Sequence, residues 1–263
     1  MGTRTEDLEE LVASVPVWYH AIDLPEGVVT PGIRGWTMES LQMPDLTGKS
    51  VLDIGAWDGY FSFEAERRGA SRVVALDHFV WSLDLAGWEA HQAERKAQGL
   101  SPLPAQEVPG LWQPDELPGK RGFDVAREAL GSRVEAVVGD FMDMDLDELG
   151  TFDVVLYLGV LYHMENPLAA MRRLRSVTEE LAVIESEAMA LPGEGSRRLA
   201  EFFPDAELAG DPSNWWSPNR EALLGLCQAA GFARAELATT SGQLPPDAGG
   251  LTRYRAVVHA RPG

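Results

Sequence analysis

The sequence predicts an α/β domain built on a mostly parallel sheet. Short apolar runs alternate with helix-period segments, the pattern of parallel strands joined by helical crossovers. The first run passes through a glycine-containing turn into a helix. The last two runs have only a Gly/Pro-rich loop between them, which predicts an antiparallel hairpin at one sheet edge.

Residues 1–48 read as an N-terminal helix and arm, expected to cover the site. Residues 7–15 form a short amphipathic pattern, and Trp18, Tyr19 and His20 open an irregular stretch punctuated by Pro31 and Gly32. The main domain spans 49–263. Residues 50–54 are an apolar run suited to a buried strand. A helix over 61–68 stops at Gly69, and 72–77 is the second strand. A long helical pattern covers roughly residues 80–98 and closes at Gly99. Residues 101–121 read as an inserted loop, since five prolines fall between Leu100 and Gly119. A helix over 123–130 stops at Gly131, and 134–138 and 152–157 are the third and fourth strands. Residues 167–175 are helical, with Asn166 as N-cap and Pro167 in the first turn. Residues 181–185 are the fifth strand, and 191–216 a second lid-like insertion. A helix over 219–230 stops at Gly231, and 233–237 and 254–259 are the closing strands.

Charge bounds the partner. The chain carries 41 acidic and 22 basic residues, a net charge of -19. Nucleic-acid binding draws its affinity from neutralised phosphates, so this balance argues against it. The clusters Arg67-Arg68, Arg172-Arg173-Arg175 and Arg197-Arg198 read as solvated helix faces. A small-molecule acceptor is the expected partner. The single cysteine, Cys227, allows neither an intrachain disulfide nor a cysteine zinc site. With no apolar stretch of ~18 residues and an acidic N-terminus, the expected location is cytoplasmic, away from membranes.

The loop after the first strand carries the chemistry. In an open α/β sheet, ligands sit beyond the carboxyl ends of the strands. Gly55 permits close backbone approach and Gly59 the tight turn into the helix. Asp53 can orient the ammonium of an amino-acid-bearing ligand. Asp77 ends the second strand, where a carboxylate accepts ribose hydroxyls, and His78 borders the nucleoside. Asp140 and Phe141 follow the third strand, where they can bond and flank a purine.

With these residues in place, the span 49–187 resembles the class I S-adenosylmethionine-dependent methyltransferases. The resemblance implies a Rossmann-like seven-stranded sheet with an antiparallel edge hairpin, S-adenosylmethionine as methyl donor and S-adenosylhomocysteine as product. It implies that Asp53, Gly55 and Gly59 line the methionine moiety, Asp77 holds the ribose, and Asp140 and Phe141 contact adenine. Leu158, at the end of the fourth strand, joins this cofactor-binding set. Trp57 departs from the family, which usually has a third glycine there. A narrower resemblance rests on the run from Leu158 to His163, Asn166-Pro167, the run from Trp216 to Asn219, and Ala230-Gly231-Phe232. It is similar to the tRNA wobble-uridine methyl/carboxymethyltransferase-like group.

Methyl transfer from a sulfonium needs alignment, exclusion of water and sometimes a base. His163, after the fourth strand, is the first candidate base; the competing reading has it packing the next helix. His20, in the arm, is the second candidate. Trp18, Tyr19, Tyr162, Trp215 and Trp216 are candidate acceptor contacts, and the two tryptophans can equally pin their loop to the core. Asp140, Asp143, Asp145 and Asp147 suit an acidic loop and helix start better than a cation site, so no metal is expected. The expected function is methylation of a small specialised metabolite in natural product biosynthesis, on oxygen. The alternatives are tRNA wobble-uridine modification and a non-catalytic S-adenosylmethionine-binding module.

Overall fold

The computed structural model describes residues 2–263, with side chains from Thr5 onward. Its strands are β1 (Ser50–Ile54), β2 (Arg72–Asp77), β3 (Glu135–Val138), β4 (Phe152–Leu158), β5 (Thr178–Ala190), β6 (Ala200–Phe202), β7 (Trp216–Pro218), β8 (Arg234–Ser241) and β9 (Thr252–Arg261). Its helices are α1 (Gly2–Ala13), α2 (Tyr60–Arg67), α3 (Leu85–Ala97), α4 (Arg121–Leu130), α5 (Pro167–Ser176) and α6 (Arg220–Ala230). Seven strands form one sheet in the order β3-β2-β1-β4-β5-β9-β8. The first five are parallel, and β9 runs antiparallel to both β5 and β8.

Alternation along the strands splits the core into two layers. Val51, Val154, Leu156 and Val183 face one side, with Phe63, Phe123, Met38 and Leu41 of α2, α4 and the arm. Leu52, Val155, Tyr157 and Ile184 face the other, with Met171 and Leu174 of α5 and Leu223 of α6. Burial on both faces explains why β1 and β4 read as continuous apolar runs.

Three elements differ from the sequence expectation. The predicted helix over 80–98 begins only at Leu85, because Val80 and Trp81 instead turn their amides toward Asp77, and Asp84 caps α3 through Gly87 N. The fifth strand extends from Thr178 to Ala190, paired with β9 from Ala182↔Ala260 to Ala190↔Thr252. Its polar segment Glu185-Ser186-Glu187 had hidden that length from an apolar count. The stretch 191–216 is not wholly irregular: β6 within it pairs with β7 as a small second sheet. No helix among the described residues is long and apolar enough to cross a membrane.

Candidate active site

The sheet order sets the site. β1 lies between β2 and β4, so successive crossovers leave it in opposite directions and open a crevice at its carboxyl end. Gly55 takes the left-handed region at φ 78°, and a Cβ there would lie 2.7 Å from Val160 Cγ2. Only glycine lets the β1 loop and the β4 loop approach this closely. Gly59, at φ 84°, starts α2; a Cβ there would meet the Phe63 and Phe123 rings at 2.6 Å.

Two carboxylates flank the loop. Asp53 is buried and accepts the Ser62 hydroxyl at 2.6 Å; burial pushes its carboxyl up to about 6, Ser62 partly opposing. Asp77 is also buried and pushed up to about 6 by desolvation, although it accepts Trp57 N at 2.9 Å and Val80 N at 3.0 Å. Asp77 therefore holds the loop. Trp57, at φ 50°, stands where the family's third glycine is expected. Its carbonyl accepts Trp81 Nε1 at 2.7 Å, and its own Nε1 is buried without a protein partner among the described residues. A buried N–H left unpaired is costly, so a ligand acceptor would relieve it. A close-approach glycine, a buried carboxylate for an ammonium and an unpaired donor suit a polar, cationic, hydroxyl-bearing donor.

The other expected nucleoside contacts are spread around this end. His78 meets Trp112 edge-to-face, with ring centroids 5.3 Å apart. Asp140 Oδ1 accepts Met142 N at 2.7 Å in a local turn. Phe141 is buried against Tyr157, under the guanidinium of Arg173, which also bonds its carbonyl. Leu158 ends β4 half-buried beside the crevice.

The arm reaches the same loop. Asp58, 1% exposed, accepts Tyr19 N at 3.0 Å and His20 N at 2.7 Å on Oδ2, and contacts His20 Nδ1 at 2.5 Å through Oδ1. His20 stacks on Tyr60, and Tyr19 stacks on Trp57 at 4.4 Å. Trp18 is buried and donates Nε1 to Val12 O, which makes it an anchor of the arm. Burial raises the Tyr19 hydroxyl pKa, with Arg255 opposing and Glu185 and Asp58 adding to the rise, so this ring lies between two charged groups.

The second of those groups is a cluster on β5 and β9. Arg255 donates Nε to Glu185 Oε1 at 2.5 Å and a second nitrogen to Oε2 at 2.6 Å. Trp36 Nε1 adds a bond to Oε1 at 3.1 Å. Tyr162 accepts from Arg255 at 3.3 Å, and burial raises its hydroxyl pKa while Arg255 opposes.

His163 faces elsewhere. Its Nδ1 lies 3.0 Å from Ser213 Oγ and 3.1 Å from Ser213 O, and burial lowers its pKa against the opposing charge of Asp211. It ties the second insertion to the β4 loop. Trp215 and Trp216 do the same: Trp215 N donates to Tyr162 O and Trp216 Nε1 to Met164 O. Both tryptophans also pack on Phe202. Tyr19 and His20 thus gather at the Gly55 loop, whereas His163, Trp215 and Trp216 gather at the second insertion. Sequence reasoning missed Asp58, Trp36, Glu185 and Arg255. The signal available was a charged residue inside each of two otherwise apolar strand runs, and an aspartate inside the glycine turn.

A family model described as a methyltransferase domain matches residues 36–237. The chain belongs to the class I S-adenosylmethionine-dependent methyltransferases. Among curated relatives, the tRNA U34 carboxymethyltransferase of Desulfotalea psychrophila is 24% identical over 204 residues, covering 78% of this chain and 51% of that protein. That of Pseudomonas syringae pv. tomato is 27% identical over 188 residues, covering 72% and 46%. This chain spans about half the length of these curated relatives. Among solved structures, the N-terminal domain of EvdMO1, determined with S-adenosylhomocysteine and D-fucose, aligns over 99% of this methyltransferase and 97% of that chain, at 16% identity and TM-score 0.61. The arsenic(III) methyltransferase CrArsM of Chlamydomonas reinhardtii aligns over 96% and 72%, at 14% identity and TM-score 0.51. At these identities the structures share the fold.

Proposed function

We propose that this methyltransferase acts on a hydroxyl oxygen of a small, hydroxylated metabolite. The observation that carries this reading is the His20–Asp58 pair, held against the Gly55 loop by two backbone amides. The sugar named with the EvdMO1 domain supports an acceptor of this kind.

S-adenosylmethionine, when bound, supplies a methyl group already activated as a sulfonium. Asp53, Gly55 and Gly59 would hold its amino-acid end, and Asp77, His78 and Trp57 Nε1 its ribose side. With Nδ1–H directed at Asp58, the free Nε2 of His20 is the acceptor for the hydroxyl proton. Asp58 fixes that tautomer and stabilises the imidazolium as it forms. Tyr19, stacked on Trp57, closes the arm over the crevice and excludes water. His163 positions the second insertion.

Single-turnover methyl transfer to a panel of hydroxylated metabolites tests this. His20→Ala and Asp58→Asn should slow transfer about 10²-fold or more, the scale of general base catalysis. S-adenosylhomocysteine affinity should stay within threefold. Unchanged transfer in His20→Ala would remove the base assignment. Donor binding without turnover on any acceptor would favour the non-catalytic module.

A second reading follows the curated relatives: tRNA modification with a carboxylated donor. Arg255 is the observation in its favour, a cation beside the Gly159 turn. Its charge is matched by Glu185 and faces Glu187 at 3.6 Å, which leaves the cluster net negative and less suited to a further carboxylate. Tighter binding of the carboxylated donor than of S-adenosylmethionine would favour this second reading.

A further inference from the structure

The Glu185–Arg255 pair is not used by the methyl transfer step described above. Glu185 is 2% exposed and the Arg255 side chain 29%. Taking two charges out of water is expensive, and apolar residues of similar size commonly hold a fold as well. The pair nevertheless sits at the carboxyl end of the sheet, beside the arm, and its remaining hydrogen-bonding capacity points one way.

Oε1 of Glu185 is occupied by Arg255 Nε and Trp36 Nε1. Oε2 receives one Arg255 hydrogen and keeps a free lone pair. The Tyr162 oxygen accepts from Arg255, which leaves its own proton to donate. These groups converge on Gly159. A Cβ at that residue would lie 3.5 Å from the Tyr162 hydroxyl, 3.8 Å from an Arg255 nitrogen and 3.9 Å from Glu185 Oε2. Glycine thus leaves open the space where a carboxylate acceptor and a phenol donor stand side by side, both held by the Arg255 guanidinium. A hydroxyl both donates and accepts, so two neighbouring hydroxyls match this set. Glu187, 3.6 Å from Arg255, makes the cluster net negative, which disfavours an anionic ligand and favours a neutral one.

We propose that Glu185 and Tyr162, held in place by Arg255, recognise a vicinal diol of the acceptor, and that the acceptor is therefore a neutral cyclic polyol such as a sugar ring. One ring hydroxyl donates to Glu185 Oε2, and its neighbour accepts from the Tyr162 hydroxyl. This inference rests on the small-molecule acceptor reading. Glu185 and Arg255 act as acceptor-positioning residues, distinct from the His20–Asp58 pair.

The test uses the full chain saturated with S-adenosylhomocysteine, titrated with methyl glycopyranosides that carry vicinal diols and with their monodeoxy analogues. Wild type should bind at least one diol probe at least tenfold more tightly than its deoxy analogue, because a site built to bond a hydroxyl strongly rejects its absence. In Glu185→Gln that discrimination should collapse to less than threefold, with S-adenosylhomocysteine affinity unchanged. Tyr162→Phe removes a single hydroxyl, keeps the ring, and should lose about half of the discrimination on a logarithmic scale; it serves if Glu185→Gln does not fold. No saturable binding of any diol probe to the loaded wild type would overturn the inference, as would equal binding of the deoxy analogues or undiminished discrimination in both variants. Methyl transfer to phenols with no diol preference would overturn it while leaving the methyltransferase reading intact. Failure of the wild type to bind S-adenosylhomocysteine at all would instead remove the donor site on which both depend.

Discussion

Asp53 and Asp77 stay uncharged to higher pH in the fold than in the open chain, because burial pushes both from 3.8 up to about 6. A carboxyl raised on folding holds its proton longer in the native state. The associated stability is full below about pH 3.8 and is lost as pH rises through about 6. Each ionised carboxylate then costs on the order of 3 kcal/mol without a cationic ligand. Asp53→Asn should therefore melt several degrees above wild type at pH 8, with the gap closing toward pH 4, in thermal denaturation. Donor affinity should move the other way: as pH falls below 6, protonation removes the negative charge and S-adenosylmethionine should bind about tenfold more weakly per unit, read by calorimetry. Both aspartates were legible in the sequence because Asp53 lies in an apolar run just before the glycine turn and Asp77 ends the next apolar run. Asp58 was not, since its role depends on an arm that returns from 38 residues earlier in the chain to meet it.

At the scale of elements, asparagines start both helices of the second core layer. Asn166 Oδ1 accepts only Ala169 N, on the surface of α5. Asn219, fully buried, accepts Ala222 N and Leu199 N and donates to Arg197 O, so it caps α6 and fastens the second insertion. Asn166→Ala should cost about 1 kcal/mol, and Asn219→Ala about 2–3 kcal/mol because buried partners lose their bonds. Urea denaturation of the two variants checks the ranking. The arm depends on a different constraint. A Cβ on Gly32 would lie 2.3 Å from the His20 carbonyl carbon, a backbone contact that cannot rotate away. Gly32→Ala should displace His20 from Asp58, slow methyl transfer at least tenfold and raise hydrogen exchange at the Tyr19 and His20 amides; wild-type exchange there would count against the arm's role. The Asn166 cap and the glycine helix stops were readable from Asn, Pro and Gly spacing, whereas Asn219 read as the first residue of its helix rather than its cap. The crossing of the arm at His20 and Ile33 was not, because it depends on pairing between irregular segments that leaves no hydrophobic period.

Across the whole molecule, alternation of strand and helix made the parallel sheet legible, and the two closing strands without a helix between them made the edge hairpin legible. The full length of β5 and β9 escaped because polar residues flank the apolar runs, Ser186 and Glu187 beyond Glu185 and Thr252 and Arg253 before Tyr254; Glu185 and Arg255, inside the runs, form the cluster beside the crevice. The net charge of -19 bears on partner choice at this scale. It predicts no salt-sensitive shift of total tRNA at low ionic strength, in a gel assay, because such binding grows from phosphate neutralisation. The central claim is a donor site at the carboxyl end of β1 that needs a side-chain-free Gly55. Calorimetric titration of S-adenosylhomocysteine into wild type and Gly55→Ala tests it most directly. The account predicts micromolar binding by wild type and at least 50-fold weaker binding by Gly55→Ala, whose methyl group would stand 2.7 Å from Val160 Cγ2. No binding by wild type, or equal binding by both proteins, would contradict it.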